Sequence, residues 1–348
     1  MTDRPPRILL LSMYPLDRGM WGATMRIAQL RDALARIADL EVVSGTRATR
    51  AGQLARRIGS LRRLDGIHVE SSTTPPGPAD VAFLALAHAL GVPILTFIPD
   101  AQQLFSEYDI ASTLKQRLSR RAFLPALRTM MRLSTYVAFP SRGLARAIHG
   151  DDRDVLLLPP GARLAAAVAP GPDARALLFV GPMNRPAHGA DLLVAAIEEA
   201  RRRGADVELI SISRPGEELP GEAPPWLHRE RADGAEIDRF LPRVMATITP
   251  RRKTPYNDLA VPIKVLEYLG YGRPLIVTDT EETTAIVREA GCGIITADTV
   301  DGLAEGIHAV ATASPEQRAA WGAAARRAAE RNSWDDRARQ VIRILQPS

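Results

Sequence analysis

The sequence predicts two α/β domains, each built on a doubly wound parallel sheet. Short apolar runs of about 4–6 residues, rich in Val, Ile and Leu, alternate with amphipathic stretches almost from end to end. The runs lack strict polar alternation, which is typical of parallel strands buried on both faces. A Pro- and Gly-rich break at residues 159–172 divides the runs into two series, and each series predicts one domain.

Eleven strands are predicted from these runs. The first series comprises Ile8–Met13, Leu40–Val43, Ile67–Glu70, Ile94–Ile98, Tyr136–Phe139 and Val155–Leu158. The second series comprises Ala176–Val180, Val207–Ile212, Met245–Thr249, Leu275–Thr278 and Gly293–Thr296. Helical periodicity fills the intervals between them.

Length and composition exclude several classes of protein. The 348 residues fit two domains, since a domain has roughly 150. A single cysteine, Cys292, forms no internal disulfide, and the first apolar run is too short for a signal peptide. No stretch approaches the ~18 apolar residues of a membrane span. We therefore expect a cytoplasmic protein.

The net charge of +5 does not by itself indicate nucleic-acid binding. Only three of the 45 basic residues are lysine, and the arginines are spread over most predicted helices. Aromatic residues make up 5% of the chain and do not interleave with basic ones as in a single-strand binding groove. The six histidines show no metal-ligand spacing, so we predict neither a nucleic-acid partner nor a metal.

Two glycine-containing loops each join the first strand of a domain to a helix, where open α/β sheets bind ligands. The first loop ends at Gly22, ahead of a helix that carries Arg26, and its alternative reading is a plain turn. The second contains Gly181, Arg185 and His188. Basic side chains and backbone N–H groups on such a loop suit a diphosphate, whereas the alternative leaves Arg185 merely solvated.

A third segment, residues 258–279, combines charged residues with a buried helix. Pro262 is predicted at the first helical position, and Lys264 and Glu267 are three apart and so share one face. The alternative is an exposed ion pair worth only a few tenths of a kcal/mol. Gly272-Arg-Pro then ends the helix before a buried strand.

This segment resembles the donor-site motif of glycosyltransferase family 4: Pro262-x-Lys264-x-x-Glu267-Tyr-Leu, then Gly-x-Pro, an apolar strand and Thr-Asp. Five further segments match the family in the same order, namely residues 14–22, 137–141, 157–161, 179–191 and 333–334. The likeness spans nearly the whole chain and is closest over residues 176–348.

The resemblance implies the GT-B architecture, in which two Rossmann-like domains face a central cleft. Residues 1–160 would form the acceptor-side domain, 161–175 a linker, 176–332 the donor domain, and 333–348 a helix crossing back to the first domain. It further implies a glycosyltransferase that takes a sugar from a nucleoside-diphosphate donor to an unidentified acceptor. The reaction would retain anomeric configuration and need no metal or cofactor beyond the donor as co-substrate.

The resemblance also assigns roles to residues. Glu267 would bind the nucleotide ribose, and Arg185 and Lys264 would hold the diphosphate. Gly22, Gly181 and His188 are further candidate donor-binding residues. Asp100 follows the fourth predicted strand and is a candidate catalytic or acceptor-orienting group, with helix capping as the alternative.

The chain departs from the family pattern at four places. Leu259 stands where a glutamate is frequent, Pro182 where an arginine is usual, and Ala285 where a glutamate often follows the Thr-Asp strand. His188 also replaces the usual loop lysine. Two alternatives therefore stay open: a non-catalytic relative that binds a sugar nucleotide or serves as a partner subunit, and a nucleotide-sugar epimerase.

Two arginine-rich stretches suggest peripheral contact with an anionic membrane, at the inner face of the cell membrane. They are residues 47–63 and 115–132, and the second interleaves Leu118, Phe123, Leu124 and Leu127. The alternative is ordinary amphipathic helices in an arginine-rich protein.

Overall fold

The computed structural model describes residues 4–17, 22–105, 114–150, 155–219 and 221–346. The chain divides into two compact units. One combines Met1–Gly161 with Trp334–Ser348, and the other is Ala162–Ser333. The C-terminal helix thus groups with the first half of the chain. The segment predicted as a linker groups with the second unit from residue 162 onward.

The first unit contains a parallel six-stranded sheet of order β2-β1-β3-β4-β5-β6. Its strands are β1 (Arg7–Ser12), β2 (Asp39–Val43), β3 (Gly66–Glu70), β4 (Ile94–Phe97), β5 (Tyr136–Phe139) and β6 (Leu156–Leu157). Its helices are α1 (Gly22–Ala35), α2 (Arg47–Ala55), α3 (Pro78–Ala89), α4 (Leu114–Leu133), α5 (Arg142–His149) and, at the C-terminus, α12 (Trp334–Leu345). The direction of winding reverses between β1 and β3.

The second unit contains another parallel six-stranded sheet, of order β12-β11-β10-β7-β8-β9. Its strands are β7 (Ala176–Val180), β8 (Glu208–Ile212), β9 (Leu227–Glu230), β10 (Val244–Thr249), β11 (Leu275–Thr278) and β12 (Gly293–Thr296). Its helices are α6 (Ala190–Arg202), α7 (Pro255–Leu259), α8 (Ile263–Gly270), α9 (Glu281–Ala290), α10 (Val300–Thr312) and α11 (Pro315–Glu330). Here the winding reverses between β7 and β10, so these two adjacent strands mark the topological switch point.

The prediction of two doubly wound parallel sheets is confirmed, and every predicted strand has a counterpart. The sequence analysis missed β9, which contributes only Leu227 to the buried core. It lies at the sheet edge and pairs only with β8 among the described strands. An edge strand needs no continuous apolar run, because one side of it faces no other strand.

Apolar side chains cover both faces of each sheet, as their patterns predict. In the first unit one cluster packs under α2 and α3 and another under α1 and α12, on opposite faces of the sheet. In the second unit, successive side chains of β7 point to opposite faces of the sheet. Leu178 packs in the apolar cluster under α8 and α11, and Leu177 packs in the cluster under α6 and α10. Helices on both faces leave the strand ends as the polar edges of each sheet.

The arginine-rich stretches are partly structural. Arg50 is buried and donates to both oxygens of Asp80, at 2.9 and 2.6 Å, and to the Gly45 carbonyl at 2.7 Å. In α4, Phe123 and Leu127 pack into the core of the first unit. Within the described chain, no helix is long and apolar enough to cross a membrane.

Candidate functional site

The candidate site begins where the loops after β7 and β10 meet. Gly189, the residue just before α6, has a φ of +70°, which favours glycine. A Cβ atom there would lie 1.6 Å from the Pro250 carbonyl oxygen, so the two loops contact each other directly. The meeting point lies at the carboxyl ends of the two strands that flank the switch point, the usual ligand-binding edge of such a sheet.

Helix α8 is tied to the same edge. The Tyr268 hydroxyl accepts a hydrogen bond of 2.7 Å from the backbone N–H of Val180, the last residue of β7. Lys264, in the first turn of α8, places its Nζ 4.5 Å from the centroid of the Phe179 ring. A Cβ atom on Gly181 would lie 2.9 Å from that Nζ, so the glycine leaves room for the ammonium group. Pro262 is the residue before the helix rather than its first residue.

Four basic side chains gather here, and we call Arg185, His188, Arg251 and Lys264 the basic cluster. Lys264 Nζ and His188 Nδ1 are buried, and neither has a hydrogen-bond partner among the described residues. Burial and the charge of Arg251 lower the pKa of Lys264 to about 7. Burial and the charges of Lys264, Arg251 and Arg185 lower the pKa of His188 to about 3. Protonation is therefore disfavoured until an anion supplies the missing countercharge.

Arg251 is the member of the basic cluster that the sequence analysis missed. Its guanidinium donates to the amide oxygen of Asn257, whose own NH2 donates to the Arg252 carbonyl at 2.7 Å. Thr254 caps α7 by accepting from the Asn257 backbone N–H at 3.1 Å. The available signal was the run Arg251-Arg252-Lys253, which directly follows a buried strand.

Glu267 lies one turn along α8 from Lys264, on the same side as predicted. Only 8% of its surface is exposed, and no described ion pair or hydrogen bond engages its carboxylate. Burial raises the pKa of Glu267 to about 7, and the positive charge of Arg163 opposes the rise. The alternative of an exposed Lys–Glu pair is therefore wrong, because the acid and the Lys264 Nζ are both buried and make no ion pair.

The arrangement suits a ligand with two different ends. The basic cluster provides cationic donors for an anionic group. The Glu267 carboxylate, about one helical turn away, is an acceptor for hydroxyl groups. The side chains lie at the edge of the sheet and on a helix that the Tyr268–Val180 hydrogen bond ties to that edge.

Residues 174–313 match the family model of glycosyl transferases group 1. This part of the chain is therefore similar to group 1 glycosyl transferases. The matched residues contain the basic cluster and Glu267, and the resemblance to glycosyltransferases predicted from residues 258–279 is confirmed. No curated protein matches the chain by sequence.

Solved structures resemble the chain over nearly its whole length. A glycosyltransferase from Rickettsia africae is 12% identical, with a TM-score of 0.68 over 99% of this chain and 100% of that one. Sucrose-phosphate synthase from Thermosynechococcus elongatus is 13% identical, with a TM-score of 0.66 over 97% and 98%. Anabaena HepE, in complex with UDP and glucose, is 14% identical, with a TM-score of 0.65 over 98% and 99%. These likenesses confirm the predicted GT-B fold.

The other predicted site residues, Gly22 and Asp100, belong to the first unit. Gly22 is the first residue of α1 and is exposed; the loop before it, residues 18–21, lies outside the described residues. Asp100 is half-buried and accepts a hydrogen bond of 2.9 Å from the backbone N–H of Gln102. That bond closes a local turn before the short helical turn Gln102–Leu104, whose capping residue is Ala101, so Asp100 does not cap it. A catalytic role for Asp100 stays a prediction.

Across the described ranges, no group of three or more His, Cys, Asp or Glu side chains is arranged to hold a metal ion. Residues 174–313 instead place basic side chains on the loops after β7 and β10 and in the first turn of α8. Arg185 is the most exposed of them, whereas Lys264 Nζ is fully enclosed.

Proposed function

We propose that the protein is a glycosyltransferase that takes a sugar from a nucleoside-diphosphate donor and transfers it to an acceptor with retention of configuration. The observation that carries the proposal is the basic cluster, in which the buried Lys264 Nζ has no acceptor among the described residues. A diphosphate would supply the missing negative charge, and Glu267 would accept hydrogen bonds from the ribose hydroxyls.

The same side chains explain how transfer would be assisted. As the glycosidic bond to the diphosphate breaks, negative charge develops on the leaving oxygen. Arg185, Arg251 and a protonated Lys264 would stabilise that charge, because they are already in place when it develops. We propose that these cations do the work that a metal does in other transferases. The acceptor would be bound by the first unit, and the protein would work in the cytoplasm.

A thermal-shift screen over UDP, GDP, ADP and their sugars tests donor binding. UDP comes first, since the similar HepE structure contains it. At 100 times its Kd a ligand stabilises the folded protein by about 2.7 kcal/mol. This free energy corresponds to an expected rise in Tm of roughly 5–10 °C for a domain of about 150–250 residues. No shift with any of them would contradict the proposal.

NMR analysis of the products then separates the alternatives. Sugar appearing on an added acceptor identifies a transferase, and conversion of the donor alone identifies an epimerase. Tight donor binding with no product across a broad acceptor panel would identify a non-catalytic relative.

We also propose peripheral contact with an anionic membrane through α4. Arginines 117, 121, 128 and 132 are exposed there, and Leu118 is 55% exposed. Phe123 and Leu127 are buried and so cannot insert into a membrane, which leaves attraction between charges as the main contribution.

Co-sedimentation with vesicles containing phosphatidylserine tests this contact. We expect binding at low salt that is lost at high salt, because exposed charges are screened. Replacing Arg117 and Arg121 with serine should weaken it, whereas replacing Arg202, an exposed arginine of α6 in the other unit, should not. An absence of vesicle binding by the unmodified protein at low salt would contradict the proposal.

A further inference from the structure

The segment that follows residue 161 lies directly against α8. A Cβ atom on Gly270 would lie 1.9 Å from the Arg163 carbonyl oxygen, so only glycine permits this approach. The Ala165 N–H donates to the Gly270 carbonyl at 3.1 Å. Arg326 of α11 donates through one nitrogen to both the Ala165 and the Gly270 carbonyls. The backbone at Arg163 is therefore fixed beside the helix that carries Glu267.

The Arg163 side chain is held just as firmly. Its guanidinium donates to both carboxylate oxygens of Asp238, at 3.0 and 2.5 Å, and to the Gly234 carbonyl at 3.3 Å. Its central carbon lies 5.6 Å from the centroid of the Tyr271 ring. Tyr271 is four residues after Glu267, so the two residues lie on the same side of the helix.

Among the described residues, Arg163 is the cation whose charge opposes the effect of burial on the pKa of Glu267. The charged and titratable groups around the Glu267 carboxyl are Arg163 from the preceding segment and Tyr268 and Tyr271 from the helix end. Burial and the nearby Glu267 carboxyl raise the pKa of Tyr271, so this phenol is neutral and carries no opposing charge. Lys264 is directed toward Phe179 and Gly181 instead. The Asp238 carboxylate partly offsets the charge of Arg163.

We propose that Arg163, fixed beside the helix that carries Glu267, is a positioning residue of the donor site whose charge favours the form of the buried Glu267 carboxyl that accepts hydrogen bonds from a ribose. The proposal rests on the function proposed above. It adds a residue outside the motif that the sequence resemblance covers. It also explains why a guanidinium is clamped between a carboxylate and an aromatic ring beside a buried acid.

The direct test follows the titration of Glu267 by carboxyl 13C NMR in the full-length protein without ligand. In Arg163→Met the midpoint should move to higher pH, because the stabilising cation is gone. In Arg163→Lys the midpoint should stay closer to that of the unmodified protein, because the positive charge is kept. In Asp238→Asn it should move to lower pH, because a competing negative charge is removed. Loss of structure alone would not move the midpoint in opposite directions.

Binding of UDP supplies the functional readout. At pH 7, Arg163→Met should bind UDP about 5-fold more weakly, and at pH 9, where Glu267 is ionised in both proteins, the difference should vanish. Equal Glu267 titrations in the unmodified protein, Arg163→Met and Asp238→Asn would overturn the inference. A complete lack of nucleotide binding by the unmodified protein would instead refute the proposed function, since the titration needs no ligand.

Discussion

Glu267→Ala, Lys264→Met and Arg185→Ala are each expected to lower the turnover of a nucleotide sugar by roughly 10- to 1000-fold. Each removes a group that would hold the ribose or stabilise the departing diphosphate. The structure ranks two of them. Lys264 Nζ is enclosed against Phe179 and would meet a diphosphate without competing water, whereas Arg185 is exposed. The lysine variant should therefore lose more activity than the arginine variant.

Lys253→Met is the matched control, since it removes the same charge from a neighbouring loop. The Nζ of Lys253 is half exposed and lies 3.6 Å from the Asp279 carboxylate and 3.9 Å from that of Asp258. Steady-state kinetics should show near-normal turnover for this variant, and circular dichroism should show that all four variants fold. Unchanged kinetics in both Glu267→Ala and Arg185→Ala would refute the site assignment.

Affinity for the nucleotide sugar is expected to peak near pH 7 and to fall on both sides. The pKa of Lys264 is lowered to about 7, so above that pH the lysine loses the charge that attracts the diphosphate. The pKa of Glu267 is raised to about 7, so below that pH the carboxyl is protonated and a poorer acceptor for the ribose. The favourable combination, a charged lysine with an ionised glutamate, is most populated where the two titrations cross.

Two variants show which residue causes the fall in affinity on each side of pH 7. Lys264→Met should abolish the fall in affinity above pH 7, and Glu267→Gln should abolish the fall below it. Calorimetric titration between pH 5 and 9 should use the nucleotide sugar that raises Tm most. The diphosphate of a nucleotide sugar is substituted at both ends and does not itself titrate in this range. Profiles that are flat, or that keep both limbs in both variants, would contradict the assignment.

Most of the fold could be predicted because burial on both faces leaves a local pattern. Strands such as Ala176–Val180 are continuous apolar runs, and the helices between them show regular periodicity. The missed strand, Leu227–Glu230, pairs at an edge and carries His, Arg and Glu, so its sequence shows no such run. This segment forms a strand because it pairs with β8, and its local sequence does not predict that pairing.

The residues of the candidate site also differ in how far they could be predicted from the sequence. Arg185, His188, Lys264 and Glu267 fall in short motifs whose spacing follows one loop or one helix, so they could be found from the sequence. Arg251 lies outside these motifs, on the loop after β10, and Arg163 comes from a segment far away in the chain. Arg163 falls in the segment predicted as a linker, and only the tertiary structure places its backbone against Gly270 of α8.

The amino-acid order by itself determined the α/β class, the two sheets and the segment that carries Lys264 and Glu267, because each of these is set by neighbours within a few residues. Only the tertiary structure decided that the lysine and the glutamate are buried apart rather than paired at the surface. Only packing placed Arg251, Phe179 and Arg163 beside them. The pKa values on which the proposed chemistry depends arise from desolvation and from charges that lie outside the motif, and both act only once the chain has folded.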